Sequence, residues 1–268
     1  MILQISVLVK NNLRAILRDR VLLAVFCVAL AMILMVPVLS NFSMRQVQEL
    51  SISLSLSTVS GILLMVSLLL GSSSIWRDVE HRYTTSVLTL PLSRSTFLLS
   101  KFFGIVLFLL ICTVILGLGS AIVISVASAT YPSEVAIHWQ NIFLVLVGDF
   151  LKFMLLTSVA LLLSSVSTSF YLPFFGTFII YLCGNASQEV YEYATGEFGK
   201  ELGQVAIKAV TTAYYLIPNL AAFDFQTQAV YGLTVPWMDV VYPILYALVY
   251  TAILLSLAIF AFNRRQLP

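Results

Sequence analysis

The residue types that could carry acid–base, nucleophilic or metal chemistry are sparse in this chain and stand far apart. There are two histidines, His81 and His138, and three cysteines, Cys27, Cys112 and Cys183, each alone inside an apolar run. A metal site needs several soft or imidazole ligands at close spacing, so packed thiols are what this setting implies. The sequence has no GxxxxGK[ST] loop to cradle a nucleotide's phosphates, no HExxH pair and no nucleophile elbow. A chain so equipped is not expected to be an enzyme by itself.

Two charged features remain. The first is the stretch Ile75 to Gly104, IWRDVEHRYTTSVLTLPLSRSTFLLSKFFG, an island of charge between two long apolar segments. If its start is helical, Trp76, Glu80 and Thr84 share one face, flanked by Arg77, Asp78 and Arg82, and Pro91 forces a break before a new helix begins. A charged helix lying between two membrane spans can act as a lever on both, while a solvated loop that only fixes topology fits the same residues. The second feature is the pair Asp149 and Lys152, three apart and hence on one helical face. Lys152 falls near the middle of an apolar span, where an unpaired charge costs at least about 2.5 to 3.5 kcal/mol. The two are expected to neutralise each other or to face a polar cavity, as a structural clamp or as part of a cargo path or gate.

The elements that position these residues follow from composition. Of 268 residues 60% are hydrophobic and 10% charged, and the mean hydropathy is +1.01. Soluble domains are roughly 45–50% apolar and about 25% charged, so an integral membrane protein of all-α class is expected. Six runs are long enough to cross the bilayer as helices: 21–40, 51–74, 102–127, 141–166, 170–184 and 241–262. Residues 1–20 place Ile2, Ile5, Val9, Leu13 and Ile16 on one helical face and Lys10, Arg14 and Arg18 on another, as in a helix lying in the interface. No small-residue cleavage site follows the first apolar run, so it is expected to stay as an anchor.

Within the second span Ser53, Ser57 and Gly61 form a small-residue stripe suited to close helix approach. Trp139 has the setting of an interfacial anchor, the turn Ser167-Thr168-Ser169 makes spans four and five antiparallel neighbours, and Pro173 is expected to kink the fifth. Residues 185–240 are the largest extramembrane part, with amphipathic helices expected over its first half. Six crossings put Lys10, Arg14, Arg18, Arg20, Arg77, Arg82, Arg94, Lys101, Arg264 and Arg265 on one side, ten of the 14 lysines and arginines, against Arg45, Lys200 and Lys208 on the other. The rich side is expected to be cytoplasmic, with both termini and the Ile75 stretch inside and the 185–240 segment outside. Nothing in the chain suggests nucleic-acid binding.

The island of charge resembles the ABC-2 type permeases of ATP-binding-cassette transporters. Glu80, then Thr84-Thr85, then Leu90-Pro91-Leu92-Ser93-Arg94, then Lys101 are similar in order and spacing to that family's glutamate, Gly-Thr, Pro-apolar-Ser-Arg and Gly-Lys pattern. Thr84 and Ser100 stand where the family usually has glycine. The six-span layout, the Ile217-Pro218-Asn219 motif with Phe223-Asp224 after it, and the closing Phe262-Asn263-Arg264-Arg265 also look like this family. They look most like its branch of NosY-type permeases linked to copper-enzyme maturation.

The resemblance covers the whole chain and says little about cargo. It implies a half-transporter in the bacterial inner membrane, most simply an exporter, that pairs with a second permease subunit and with two copies of a separate cytoplasmic ATPase. ATP and magnesium would be bound on that ATPase, with no cofactor on this chain, and membrane lipid and an extracytoplasmic accessory protein are the other partners expected. By position, the resemblance makes the stretch between spans two and three a coupling helix, with Trp76, Arg77, Asp78, Glu80, His81 and Arg82 as ATPase contacts and Thr85, Pro91, Ser93, Arg94 and Lys101 as family motif. The competing classes are a self-sufficient secondary transporter, which would favour more buried ionisable groups than this one pair, and a non-transport module passing ATPase strokes to an outside partner.

Overall fold

The computed structural model describes residues 2–40, 46–80, 93–130, 136–196 and 203–264, and the described residues are helical apart from short connections. In chain order the helices are α1 (Ile2–Leu17), α2 (Arg20–Ser40), α3 (Val47–Glu80), α4 (Arg94–Thr130), α5 (Trp139–Val166), α6 (Tyr171–Thr195), α7 (Gln204–Leu216), α8 (Gln226–Tyr231) and α9 (Trp237–Arg264), with a 3-10 turn at Ala221–Phe223. Four are long and apolar enough to cross a membrane, over Val47–Arg77, Arg94–Thr130, Trp139–Val166 and Trp237–Arg264. The apolar stretch of α2, Ala24–Ser40, is shorter, and α6 is apolar only over its first half.

Helix α5 is the axis of the bundle, packed against α3 on one side and α9 on another, with α4 and α6 completing its surround. The apolar core runs through Leu63, Leu98, Leu109, Phe153, Leu155 and Phe262, while leucines such as Leu30, Leu34, Leu118 and Leu248 stay outward, as lipid-facing positions do. The α3–α5 seam is made of small residues. A Cβ on Gly71 would fall 2.5 Å from Ala160 Cβ, Ser67 Oγ lies 2.9 Å from Thr157 Oγ1 and donates to the Phe153 carbonyl at 3.2 Å, and Ser164 Oγ donates to the Ser72 carbonyl at 3.3 Å. Within the chain, close approach uses Ser67 and Gly71, whereas Gly61 has nothing within 4 Å of where its Cβ would be.

Two expectations change in detail. Pro173 falls in the first turn of α6, where a missing N–H costs no helix bond, so the ring fits the helix start without requiring the expected kink. Helix α3 has no break at Ser74; its 34 residues carry it straight through Trp76 and Arg77 to Glu80, about 50 Å at 1.5 Å per residue. The α5–α6 turn is closed by Ser167, whose Oγ donates to the Ser169 carbonyl at 2.9 Å and accepts from the Ser169 N–H at 3.1 Å. The two helices pack as neighbours.

The amphipathic α1 lies on α4, and Gly104 is what lets it: a Cβ there would sit 3.0 Å from Asn12 Cβ. At the opposite end of the bundle the chain from Asn219 to Val235 folds back into the helices. Phe225 and Ala229 join Ile52, Leu56, Ile124, Ile142 and Val145 in a second apolar cluster, and the Leu220 N–H donates to the Gly184 carbonyl at 3.0 Å.

Candidate coupling end and buried charged pair

Arg77, Arg94 and Lys101 lie at one end of the bundle. Arg77, exposed on the last turns of α3, pairs with Asp19 in the α1–α2 link. Trp76 is half-buried and packs on Phe170 at the start of α6, ring centroids 6.0 Å apart. It is therefore as much a joint between α3 and the α5–α6 turn as a surface anchor. Asp78 and Glu80 continue the helix to its end. His81, Arg82, Thr85 and Pro91 lie outside the described residues.

The rest of the motif has a physical role that spacing alone does not disclose. Ser93 caps α4: its Oγ accepts the Thr96 N–H at 3.2 Å, satisfying one of the unpaired donors of the first turn. Arg94 then reaches across to the last turn of α9 and donates to the Phe262 and Asn263 carbonyls at 3.4 and 3.1 Å. A cation on orphan carbonyls at a helix C-terminus is favourable both as hydrogen bond and against the helix dipole. One turn on, Phe97 stacks on Phe262 at 6.1 Å, and Lys101 lies 5.7 Å over the Phe97 ring. A cavity of about 120 Å³ lined by Asn12, Asp19, Ser73, Arg77 and Lys101 separates α1, α3 and α4 here. The Ser-Arg of the motif thus ties the start of α4 to the end of α9. The signal legible in sequence was a serine before a helix and an arginine beside it; the partner stands 168 residues away.

Asp149 and Lys152 are both buried, at 7% and 6% exposure, on the face of α5 toward α3 and α6. They are not in ion-pair contact. Ser60 Oγ of α3 donates to Asp149 Oδ1 at 3.1 Å, and Asp149 Oδ2 is buried with no hydrogen-bond partner among the described residues. Lys152 turns its Nζ toward α6, 5.3 Å over the Tyr181 ring, a cation–π contact. Each also has a separate tertiary partner, Ser60 for Asp149 and the Tyr181 ring for Lys152.

The pair is covered from the opposite end by the folded-back segment. A Cβ on Gly148 would press into the Phe223 carbonyl oxygen and lie 3.1 Å from Phe225 Cδ2, so only glycine admits this backbone. Gln226 Nε2 donates to the Ser53 carbonyl at 3.0 Å and to Ser57 Oγ at 2.8 Å, which gives those serines an intrachain partner. Asn141 Nδ2 holds the far side, donating to the Gln228 and Leu233 carbonyls at 2.8 and 2.9 Å. Sequence reasoning missed Gln226 and Asn141, since a lone amide carries no period. Among the described residues no group of three or more histidine, cysteine or carboxylate side chains is placed to hold a metal ion.

A helical membrane protein with long apolar helices, a charged and cross-braced end and no nucleotide loop is the class these observations define. The profile of the ABC-2 family transporter proteins matches residues 6–267, nearly the whole chain, and the chain belongs to that family. No individual curated protein matches it. Membrane proteins of this family work with an ATPase subunit in ABC transporters.

Proposed function

We propose that the chain is the permease subunit of an ABC exporter, pairing with a second permease subunit and with two copies of a cytoplasmic ATPase that binds ATP and magnesium. In this reading α2, α3, α4, α5, α6 and α9 are six crossings of a bacterial inner membrane, the basic end is cytoplasmic together with both termini, and residues 185–240 are outside. The segment from Trp76 through Arg77, Asp78, Glu80, His81 and Arg82 meets the ATPase.

The observation that carries the reading is the bracing at the basic end. Arg77–Asp19, Trp76–Phe170 and Arg94–Phe262 link α3, the α1–α2 joint, the α5–α6 turn, α4 and α9. A stroke delivered to residues 76–82 would be shared by most of the bundle instead of being absorbed by one helix. Purification of the chain with its endogenous partners tests it: an ATPase should co-purify, and ATP should drive cargo movement in sealed vesicles.

A second reading is favoured by α3 alone, which joins the basic end to the opposite segment through Gln226 on Ser53 and Ser57. Such a rod could pass ATPase motion to an outside partner without transport. Co-purification of ATPase with no ATP-dependent cargo movement would favour it.

A further inference from the structure

Two opposite charges three residues apart on a helix can close into contact, and burial makes separation expensive because each ion has left water. Asp149 and Lys152 nevertheless stay apart, held by Ser60 and by the Tyr181 ring. What remains unmet is complementary. Asp149 Oδ2 lacks a donor, and the Lys152 ammonium has three N–H donors facing a ring, with no carboxylate on it among the described residues. A free anion at this place would be repelled by Asp149 and a free cation by Lys152, whereas a dipolar ligand of zero net charge satisfies both and leaves no net charge buried. Asp224, exposed on the covering segment, lies within electrostatic reach of both and favours the cationic end of such a ligand on its own side.

We propose that Asp149 and Lys152 form a zwitterion-binding site, in which an ammonium group of the ligand donates to Asp149 Oδ2 and its neighbouring anionic oxygen accepts from Lys152 Nζ. The segment seated on Gly148 and hooked by Gln226 packs over this part of α5 and Asp149 Oδ2 is fully buried, so the ligand enters when that segment lifts. This deepens the transport reading and rests on it. The chemistry is shared by free amino acids and by the ethanolamine phosphate headgroup of a phospholipid, and the test separates these sources.

The full chain is placed in nanodiscs of phosphatidylglycerol, with radiolabelled glycine as one probe, and in mixed nanodiscs with phosphatidylethanolamine, whose retention is counted by native mass spectrometry. The wild type should bind one of the two probes with a stoichiometry of one. Asp149→Asn and Lys152→Gln should each weaken that binding by at least about tenfold, the scale of a lost charge-assisted hydrogen bond. Ser60→Ala keeps both charges and frees Asp149 to swing onto Lys152, so it should also weaken binding, in a variant expected to fold if the others do not. Glycine binding assigns a small solute and phosphatidylethanolamine retention a lipid. Binding of neither probe by the wild type, or equal binding by all variants, overturns the proposal. The assay uses neither ATP nor ATPase: a chain that assembles with an ATPase yet binds no probe removes this inference alone, while failure to assemble removes the transport reading.

Discussion

Replacing Gly148 by alanine tests whether the folded-back segment is seated on α5. A Gly→Ala change in a helix interior gains up to about 1 kcal/mol wherever the new methyl has room. Gly61 of α3 has that room, with nothing within 4 Å. At Gly148 the methyl would press into the Phe223 carbonyl and the Phe225 ring, and a backbone oxygen cannot rotate away as a side chain can. Overpacking of this kind costs about 1–3 kcal/mol, so Gly148→Ala should fall below Gly61→Ala by about that amount in a denaturant titration. Where the strain is relieved by lifting the segment, the open population should rise by about 5- to 150-fold, at about 1.4 kcal/mol per decade. Ala229, on the buried underside of the segment at 3% exposure, reports this directly. In a background with Cys27, Cys112 and Cys183 replaced by alanine, Ala229→Cys should react with maleimide far faster alongside Gly148→Ala than alongside Gly61→Ala. Equal stabilities and equal labelling rates would refute the seating, and with it the covering of the charged pair.

Three further outcomes are expected. Ser67→Ala removes the hydroxyl bridging Thr157 and the Phe153 carbonyl on the α3–α5 seam and should destabilise by about 0.6 kcal/mol and at most about 1.7, read by the same titration. The Asp19–Arg77 pair is half open to solvent on the arginine side, at 44%, so a double-mutant cycle with Asp19→Ala and Arg77→Ala should give a coupling of no more than about 1 kcal/mol; a coupling of several kcal/mol would mean a buried clamp instead. The lysine and arginine bias predicts that Ser95→Cys is labelled only from the cytoplasm and Gln204→Cys only from outside, and labelling of both from one side would remove the six-crossing arrangement.

The apolar runs are legible because leaving water dominates every other term in them, and four of the six stand as helices long and apolar enough to cross a membrane. Their ends are less so. Arg77, Asp78 and Glu80 mark the end of the apolar stretch of α3, yet i to i−4 backbone bonding continues past it, so the helix outlasts its apolar stretch. Helix α3 carries serines and glycines on several faces, more than it has close neighbours, and only the packing decides that Ser67 and Gly71 meet α5 while Ser53 and Ser57 receive Gln226. The same holds at the charged pair. Spacing permits Asp149 to reach Lys152, but Ser60 and Tyr181 come from α3 and α6, far away in the chain. Ser93 and Arg94 were recognisable as a motif, and their roles as caps on α4 and α9 became visible only once Phe262 and Asn263 were beside them.

The claim that residues 76–82 receive force from an ATPase is tested most directly by co-purification of Glu80→Lys and the unaltered chain from the same host, at matched expression and gel-filtration profile. In the proposed docking surface an acid that would pair with the ATPase, turned into a base, replaces attraction by like-charge repulsion, a change that would cost about 2–5 kcal/mol. The account predicts that the unaltered chain brings down an ATPase whose hydrolysis responds to cargo, and that Glu80→Lys loses the ATPase or retains it with hydrolysis uncoupled. Full assembly and full coupling in Glu80→Lys would contradict it.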